Sequence, residues 1–434
     1  MKRTVTVVFL GALLLANGRH LLGADDILSR VEQLTKQVTP AVIEIRRDLH
    51  AHPELSNREE RTAGVVAERL EEIGVDEIKT GVAHHGVVAL IRGHKPGPTV
   101  ALRADMDALP IQEQTDLPFA SKNEGVMHAC GHDCHTAMLL GAAEVLAQMR
   151  DVMPGTVKLI FQPAEEGTPA GEQGGAKLMI EEGALKAPDV AAIFGMHVNT
   201  ELETGKISYR PGVLLASVDR FQVTIRGKQS HAAMPWLGVD PIVASAHVVT
   251  AVQSIASRKV DARDPVVVSF GIIRAGRAWN IIPGEVVLEG TIRSHSVEVR
   301  RKAVAEFRRI VDGTADALGT SAEIHFDDYG PCVWNDPGLG ARAKMSLERA
   351  VGEENVVEAE PVMGGEDFAH YADQVPGCFV FLGVRNEAIG AVHPVHTPFF
   401  FIDEAALPVG VRAHALMALD YLCKHASDAQ TPQR

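Results

Sequence analysis

The sequence predicts a discontinuous α/β domain interrupted by a smaller α+β domain. Three observations carry this. At 434 residues the chain exceeds one ordinary hydrophobic core, so two domains are the default. Short apolar strands alternate with helical stretches through the first half and again near the end, the pattern of a largely buried sheet covered by helices. Between them, residues 213–329 carry a different order, βαββαβ, bracketed by Arg210-Pro211-Gly212 and Tyr329-Gly330-Pro331. That order is the ferredoxin-like split motif, and its length suits a small independent domain. The predicted boundaries are therefore 25–212 with 330–434 for the first domain and 213–329 for the insert.

Each element has its own signal. Residues 29–50 and 58–73 repeat apolar positions at helical spacing, whereas Val100–Leu102 and Val157–Phe161 are short apolar runs bounded by Gly or Pro and read as buried strands. Thr136–Met149 reads as a helix. In the insert, Phe221–Arg226 alternates as a strand, and Pro241–Ser257 is a helix with proline at its start. Val266–Ile273 and Glu285–Arg293 are strands around the turn-rich 274–284. Val297–Ala317 is a long amphipathic helix, and Ala322–Phe326 is the last strand.

Composition excludes several classes of function. A formal net charge of −14 without a basic cluster argues against a nucleic-acid partner, and 5% aromatics leave little for stacking bases. Lys2 and Arg3 precede an apolar run, Val5–Ala16, that is too short to span a bilayer. Residues 1–24 therefore read as a signal peptide for export to the periplasm or outside the cell, with an imperfect cleavage site at Leu22-Gly23-Ala24. The alternative is an uncleaved anchor or an incidental apolar start. No later stretch is apolar enough to cross a membrane. Five widely spaced cysteines (130, 134, 332, 378 and 423) do not form a disulfide framework.

The densest chemistry lies in Met127-His128-Ala129-Cys130-Gly131-His132-Asp133-Cys134-His135. Cys-x-His offers two metal-ligand types, with a glycine between them where the chain must turn. Four further patches place ligand types at strand ends, where open α/β sheets put their sites: Asp105 in Leu102–Asp107, Glu165-Glu166 after Phe161-Gln162-Pro163-Ala164, His197 and His396. Of two adjacent carboxylates, one can bind a metal while the other stays free as a base. Singly, each of these has a plainer reading: a solvated acidic loop, a core histidine, a helix cap.

Taken together, nine segments resemble the bimetallic amidohydrolases of the aminoacylase, hippurate hydrolase and auxin-conjugate hydrolase type, relatives of the carboxypeptidase G class. Among them are RRDLHAHPELS (46–56), LRADMDALPI (102–111), HACGHDCHTAMLLGAA (128–143), FQPAEEG (161–167), GKQSHAAMPWLGVDPI (227–242) and MGGEDFAHY (363–371), and the nine run in order along nearly the whole chain after residue 24. The resemblance implies a catalytic domain of zinc-peptidase type, with the insert as lid and dimerisation domain, and a homodimer. It implies Cys130, His132, Glu166, His197 and His396 as ligands of two divalent metal ions per subunit. Thiolate, imidazole and carboxylate donors suit zinc, with manganese, cobalt or nickel as alternatives. Glu165 is implied as the base that activates a metal-bound water, Asp105 as the acid orienting a metal ligand, His231 as the lid histidine that stabilises the transition state, and Asn280 and Arg293 as substrate-holding positions. The implied reaction is hydrolysis of N-acyl amino acids to a carboxylic acid and a free amino acid. A metallo-dipeptidase or carboxypeptidase on the same scaffold is the nearer alternative, and a non-catalytic binding protein the remoter one. Two residues depart from the usual pattern, Cys134 and Trp279.

Overall fold

The computed structural model describes residues 24–428. The leader expected at 1–24 lies outside them except for Ala24. The chain begins with α1 (Ala24–Ala51) and α2 (Glu60–Ile73), the hairpin β1 (Glu77–Val82) and β2 (Gly86–Arg92), then β3 (Lys95–Asp105), α3 (His132–Gln148), β4 (Pro154–Gln162), α4 (Gly175–Glu181), β5 (Ala192–Glu203), β6 (Ile207–Tyr209) and β7 (Gly212–Leu215). The insert follows as β8 (Ser217–Arg226), β9 (Ser230–His231), α5 (Pro241–Val252), β10 (Val266–Ala275), β11 (Ile281–Ile282), β12 (Glu285–Ser294), α6 (Val297–Ala317) and β13 (Ser321–Gly330). The chain returns through β14 (Val333–Asn335), α7 (Pro337–Val351), β15 (Val356–Glu358), α8 (Ala369–Ala372), β16 (Gly377–Arg385) and α9 (Leu407–Asp428).

The first unit is built on an eight-stranded mixed sheet in the order β1-β2-β4-β3-β5-β16-β6-β15. Its centre, β4-β3-β5-β16, is parallel, so these strands end together at one edge. Alternate residues of β3 feed two separate cores. Val100 and Leu102 join the larger one, with residues of α1, α3, α7 and α9, while Ala101 joins the smaller one on the other face. The sequence makes the central strands continuously apolar because both faces are covered.

The insert has its own four-stranded antiparallel sheet, ordered β10-β12-β8-β13. Phe221, Val223 and Ile225, alternating along β8, pack against Ala244 and Val248 of α5 and Phe307 and Val311 of α6. Asp240 caps α5 by accepting from the Ile242 and Val243 amides, and Ser296 caps α6 through Val299 N. Two elements differ from expectation. The helix expected over 241–257 ends at Val252, with a π turn at Ile255–Lys259 beyond it, and the stretch 274–284 contains β11, which pairs with β9. β7 and β14 pair at the junction, while Arg293 and His295 donate to the Met363 and Val362 carbonyls 2.8 and 2.9 Å away. Among the described residues no helix is long and apolar enough to cross a membrane.

Candidate metal centre

The parallel strand ends and the start of α3 meet at one point. Asp105 of β3 lies beside Gln162 of β4, and β5 carries His197 past the same edge. α3 begins at His132, four residues earlier than the sequence suggested, so the ligand run forms its first turn. Gly131 makes the entry possible: its φ is +91°, and a Cβ there would stand 2.5 Å from Val198 Cγ2. His396 arrives from the far end of the chain with φ +62°, its amide held by the Ala129 carbonyl at 2.8 Å.

Cys130 is the common member of two groups of donors. Its Sγ is 3.2 Å from His197 Nε2 and 3.2 Å from His396 Nε2. One group is Cys130, His132 and His197; the other is Cys130, Glu166 and His396; within each, the donor atoms lie within 4.8 Å of one another. In the first group Cys130 and His132 are buried and His197 is half-buried, whereas the His396 side chain is 51% exposed, so the second opens further to solvent. His132 Nε2 and Glu166 Oε1 are buried without a hydrogen bond, although Glu166 Oε1 lies 3.2 Å from His396 Nε2. Buried polar atoms left in that state are costly, and a cation would satisfy both. Burial and the Glu166 charge push the Cys130 thiol well above its usual range, so its use as a thiolate ligand requires a cation beside it. The donor set fits divalent metal ions.

The ring orientations are fixed from behind. Asp107 Oδ1 lies 3.1 Å from His132 Nδ1, and the Val198 carbonyl lies 2.7 Å from His197 Nδ1, so both Nε2 atoms face the centre. This revises one expectation. Asp105 is 3.8 Å from His132 Nδ1 and makes its short contact, 2.6 Å, with His135 Nδ1. His135 Nε2 in turn accepts from the Val198 amide at 3.0 Å. The acid against His132 is Asp107; Asp105 instead holds His135, whose ring accepts from the Val198 amide.

Glu165 stands beside both groups and shares neither with Cys130, its Oε2 4.0 Å from His132 Nε2. Burial, with the charges of Glu366, Glu166 and Asp367, pushes it well above the usual carboxylate range. Behind it lies a buried cation. Arg103 reaches Asp105 at 2.5 Å, Glu366 at 3.0 Å and Asp367 at 2.9 Å. Burial opposes its charge, but these three carboxylates hold the guanidinium protonated. The sequence motifs contain Arg103, Asp107 and Glu366 without marking them as functional, and His135 reads there only as a supporting residue.

The insert residues fall elsewhere. His231 and Asn280 sit on the β9–β11 ribbon, where the Ala232 amide donates to the Asn280 carbonyl. His231 is exposed, and its Nδ1 accepts from the Ala233 amide; among the described residues it makes no hydrogen bond or ion pair with the centre. Arg293 is committed to the Met363 carbonyl. A cavity of about 690 Å³ reaches from Glu165 and Glu166 along the glycine-rich loop 167–175 to Arg220 and Asp327 of the insert. Cys134 is fully buried in the larger core, which accounts for it as packing, and Trp279 is 95% exposed.

A family model described as Peptidase family M20/M25/M40 matches residues 101–420. The chain belongs to this family. It is similar to thermostable carboxypeptidase 1 of Saccharolobus solfataricus, 42% identical over 91% of this chain and 99% of the relative. It is also similar to N-acetylcysteine deacetylase of Bacillus subtilis, 42% identical over 87% of this chain and 96% of the relative. Among solved structures, it matches a dinuclear metal-binding M20 peptidase of Bacillus subtilis with a TM-score of 0.75 and 40% identity, covering 89% of this chain and 99% of that one. The family membership implied by the sequence motifs therefore holds, and as a family member the chain is a metal-dependent hydrolase of amide bonds.

Proposed function

We propose that the chain hydrolyses N-acyl amino acids, releasing a carboxylic acid and a free amino acid. The observation that carries this is the pairing of two donor groups on Cys130 with a separate buried carboxylate, Glu165, beside them. His132 and His197 would hold one divalent ion with Cys130, and Glu166 and His396 a second, with zinc the best match to the donors. Bound cations supply Lewis acidity at the scissile carbonyl and lower the pKa of water. Glu165 takes a proton from the attacking water and delivers it to the departing amine nitrogen, so one carboxylate serves as base and then acid.

The ferredoxin-like insert is proposed as lid and dimerisation domain. In the described conformation His231 is outside the centre, so its role in stabilising the transition state requires lid closure or delivery from a second copy. Asn280 is proposed to hold substrate on the same ribbon. We also propose export, on the charge and apolar pattern of residues 2–16; N-terminal sequencing of the mature protein tests it, and an intact Met1 rules out a cleaved leader.

The functional test is a panel of N-acyl amino acids and dipeptides assayed with added zinc, manganese or cobalt. Turnover of the acyl amino acids with loss on chelation supports the reading. Turnover confined to peptides favours the carboxypeptidase reading, which the name of the Saccharolobus relative supports. Glu165→Gln is expected to keep its metal and lose nearly all turnover; an active variant excludes Glu165 as the proton carrier.

A further inference from the structure

Four consecutive residues between α1 and α2 each hold a part of the catalytic loop region. Ser56 Oγ donates to Asp107 Oδ2 at 2.8 Å. Asn57 Nδ2 donates to the Gln173 carbonyl at 3.0 Å, and Arg58 pairs with Glu172 at 2.6 Å, so both grip the glycine-rich loop that walls the cavity. Glu59 reaches furthest in. Its Oε1 accepts from the Ala164 amide at 2.8 Å and from the Asn57 amide at 3.0 Å, and the residue is fully buried.

Both of those amides belong to residues in the left-handed region, Asn57 at φ +59° and Ala164 at φ +55°. For alanine that conformation is strained and persists only where its surroundings hold it. Ala164 directly precedes Glu165. On the other side of Glu165, the Glu166 amide donates to Asp107 Oδ2 at 3.0 Å. The peptide carrying the proton carrier is therefore gripped on both flanks by buried carboxyl groups, Asp107 after it and Glu59 before it.

From this geometry we propose that Glu59 is a positioning residue for the reaction, holding the left-handed turn at Ala164 that aims Glu165 at the centre. The proposal rests on the reading of Glu165 as proton carrier. Glu59 requires an acceptor oxygen at a fixed reach more than it requires charge. Burial and the Asp107 charge push its pKa up to about 8, so at neutral pH its carboxyl resembles a carboxamide. Glutamine keeps the reach and the acceptor, aspartate shortens the reach by one methylene, and alanine removes the acceptor.

The test compares Glu59→Gln, Glu59→Asp and Glu59→Ala in the metal-loaded full chain, with kcat, KM and metal content measured on the N-acyl substrate turned over best. Misaiming a reacting group by an ångström costs on the order of a hundredfold. We expect kcat to fall by roughly tenfold or more in Glu59→Asp and Glu59→Ala, with KM within about twofold and metal content unchanged. Glu59→Gln should keep most of the parent's kcat. Should Glu59→Ala not fold, Glu59→Asp decides alone. A kcat near the parent's in Glu59→Asp, or an equal loss in Glu59→Gln and Glu59→Asp, overturns the proposal. Glu165→Gln is assayed in parallel: if it stays active, the functional reading fails, whereas an inactive Glu165→Gln beside a fully active Glu59→Asp removes only the positioning role.

Discussion

Cys130 Sγ lies 3.2 Å from His396 Nε2, although 266 positions of sequence separate them. The same sulfur is equally close to His197, so a single side chain belongs to both donor groups. Cys130→Ala should therefore weaken both metal positions together. We expect bound metal after dialysis to fall below one ion per chain, with turnover abolished. Retention of two ions in the variant would show that the groups are independent of the thiol.

Arg103 carries three buried carboxylates. Breaking such a cluster from one side leaves charges uncompensated in a poorly solvated interior, typically a loss of about 3–5 kcal/mol. Arg103→Met should lower stability by that order in denaturant unfolding. Arg92→Met, which removes an exposed pair with Glu77, should cost about 1 kcal/mol or less. Equal effects from the two would contradict the importance given to the buried cation.

The raised pKa of Glu59 gives stability a pH dependence with a definite sign. The folded chain keeps the Glu59 proton up to about pH 8, whereas the unfolded chain releases it near 4.5. Between those values the folded state binds the extra proton, so stability falls as pH rises, by up to about 1.4 kcal/mol per unit. Glu59→Gln cannot titrate. Its stability relative to the parent should improve steadily from pH 5 to pH 8 in thermal unfolding; a constant difference would mean that Glu59 titrates normally.

His231→Ala should lower kcat far more than it raises KM, because an interaction made only in the transition state leaves ground-state binding alone. Size-exclusion with light scattering on the same samples separates the two routes to the site. A fully active monomer would leave lid closure within one chain as the route.

Much of this was legible in the sequence, for identifiable reasons. Apolar runs ending in ligand types placed the sheet and the donors, because parallel strands with both faces covered must be apolar and must end at a common edge. The start of α3 was not legible. His132, Asp133, Cys134 and His135 are all buried in its first turn, so the polar–apolar contrast that marks a helix boundary is missing. Asp105 and Asp107 were indistinguishable as text, since which acid faces His132 depends on how the chain leaves β3. The buried pairing of Asp133 with Arg46 and His50 was hidden because charged residues at helical spacing look like a solvated face. Glu59 was hidden by the same rule.

The insert lies between His197 and His396 along the chain, and this sets an order of assembly during synthesis. A growing chain holds Cys130, His132, Glu166 and His197 while roughly half of its residues are still to be added. Neither donor group can be fixed at that stage, because the sheet still lacks β16 and the larger core still lacks α7 and α9, and the open group also waits for a histidine made after the whole insert has emerged. Because domains generally fold as units during synthesis, the four-stranded unit is free to fold first and bring the returning chain back to β7. Both metal positions would thus be completed together, after the insert has folded and the returning chain has closed the sheet, and catalytic competence would arrive only once His396 has been made.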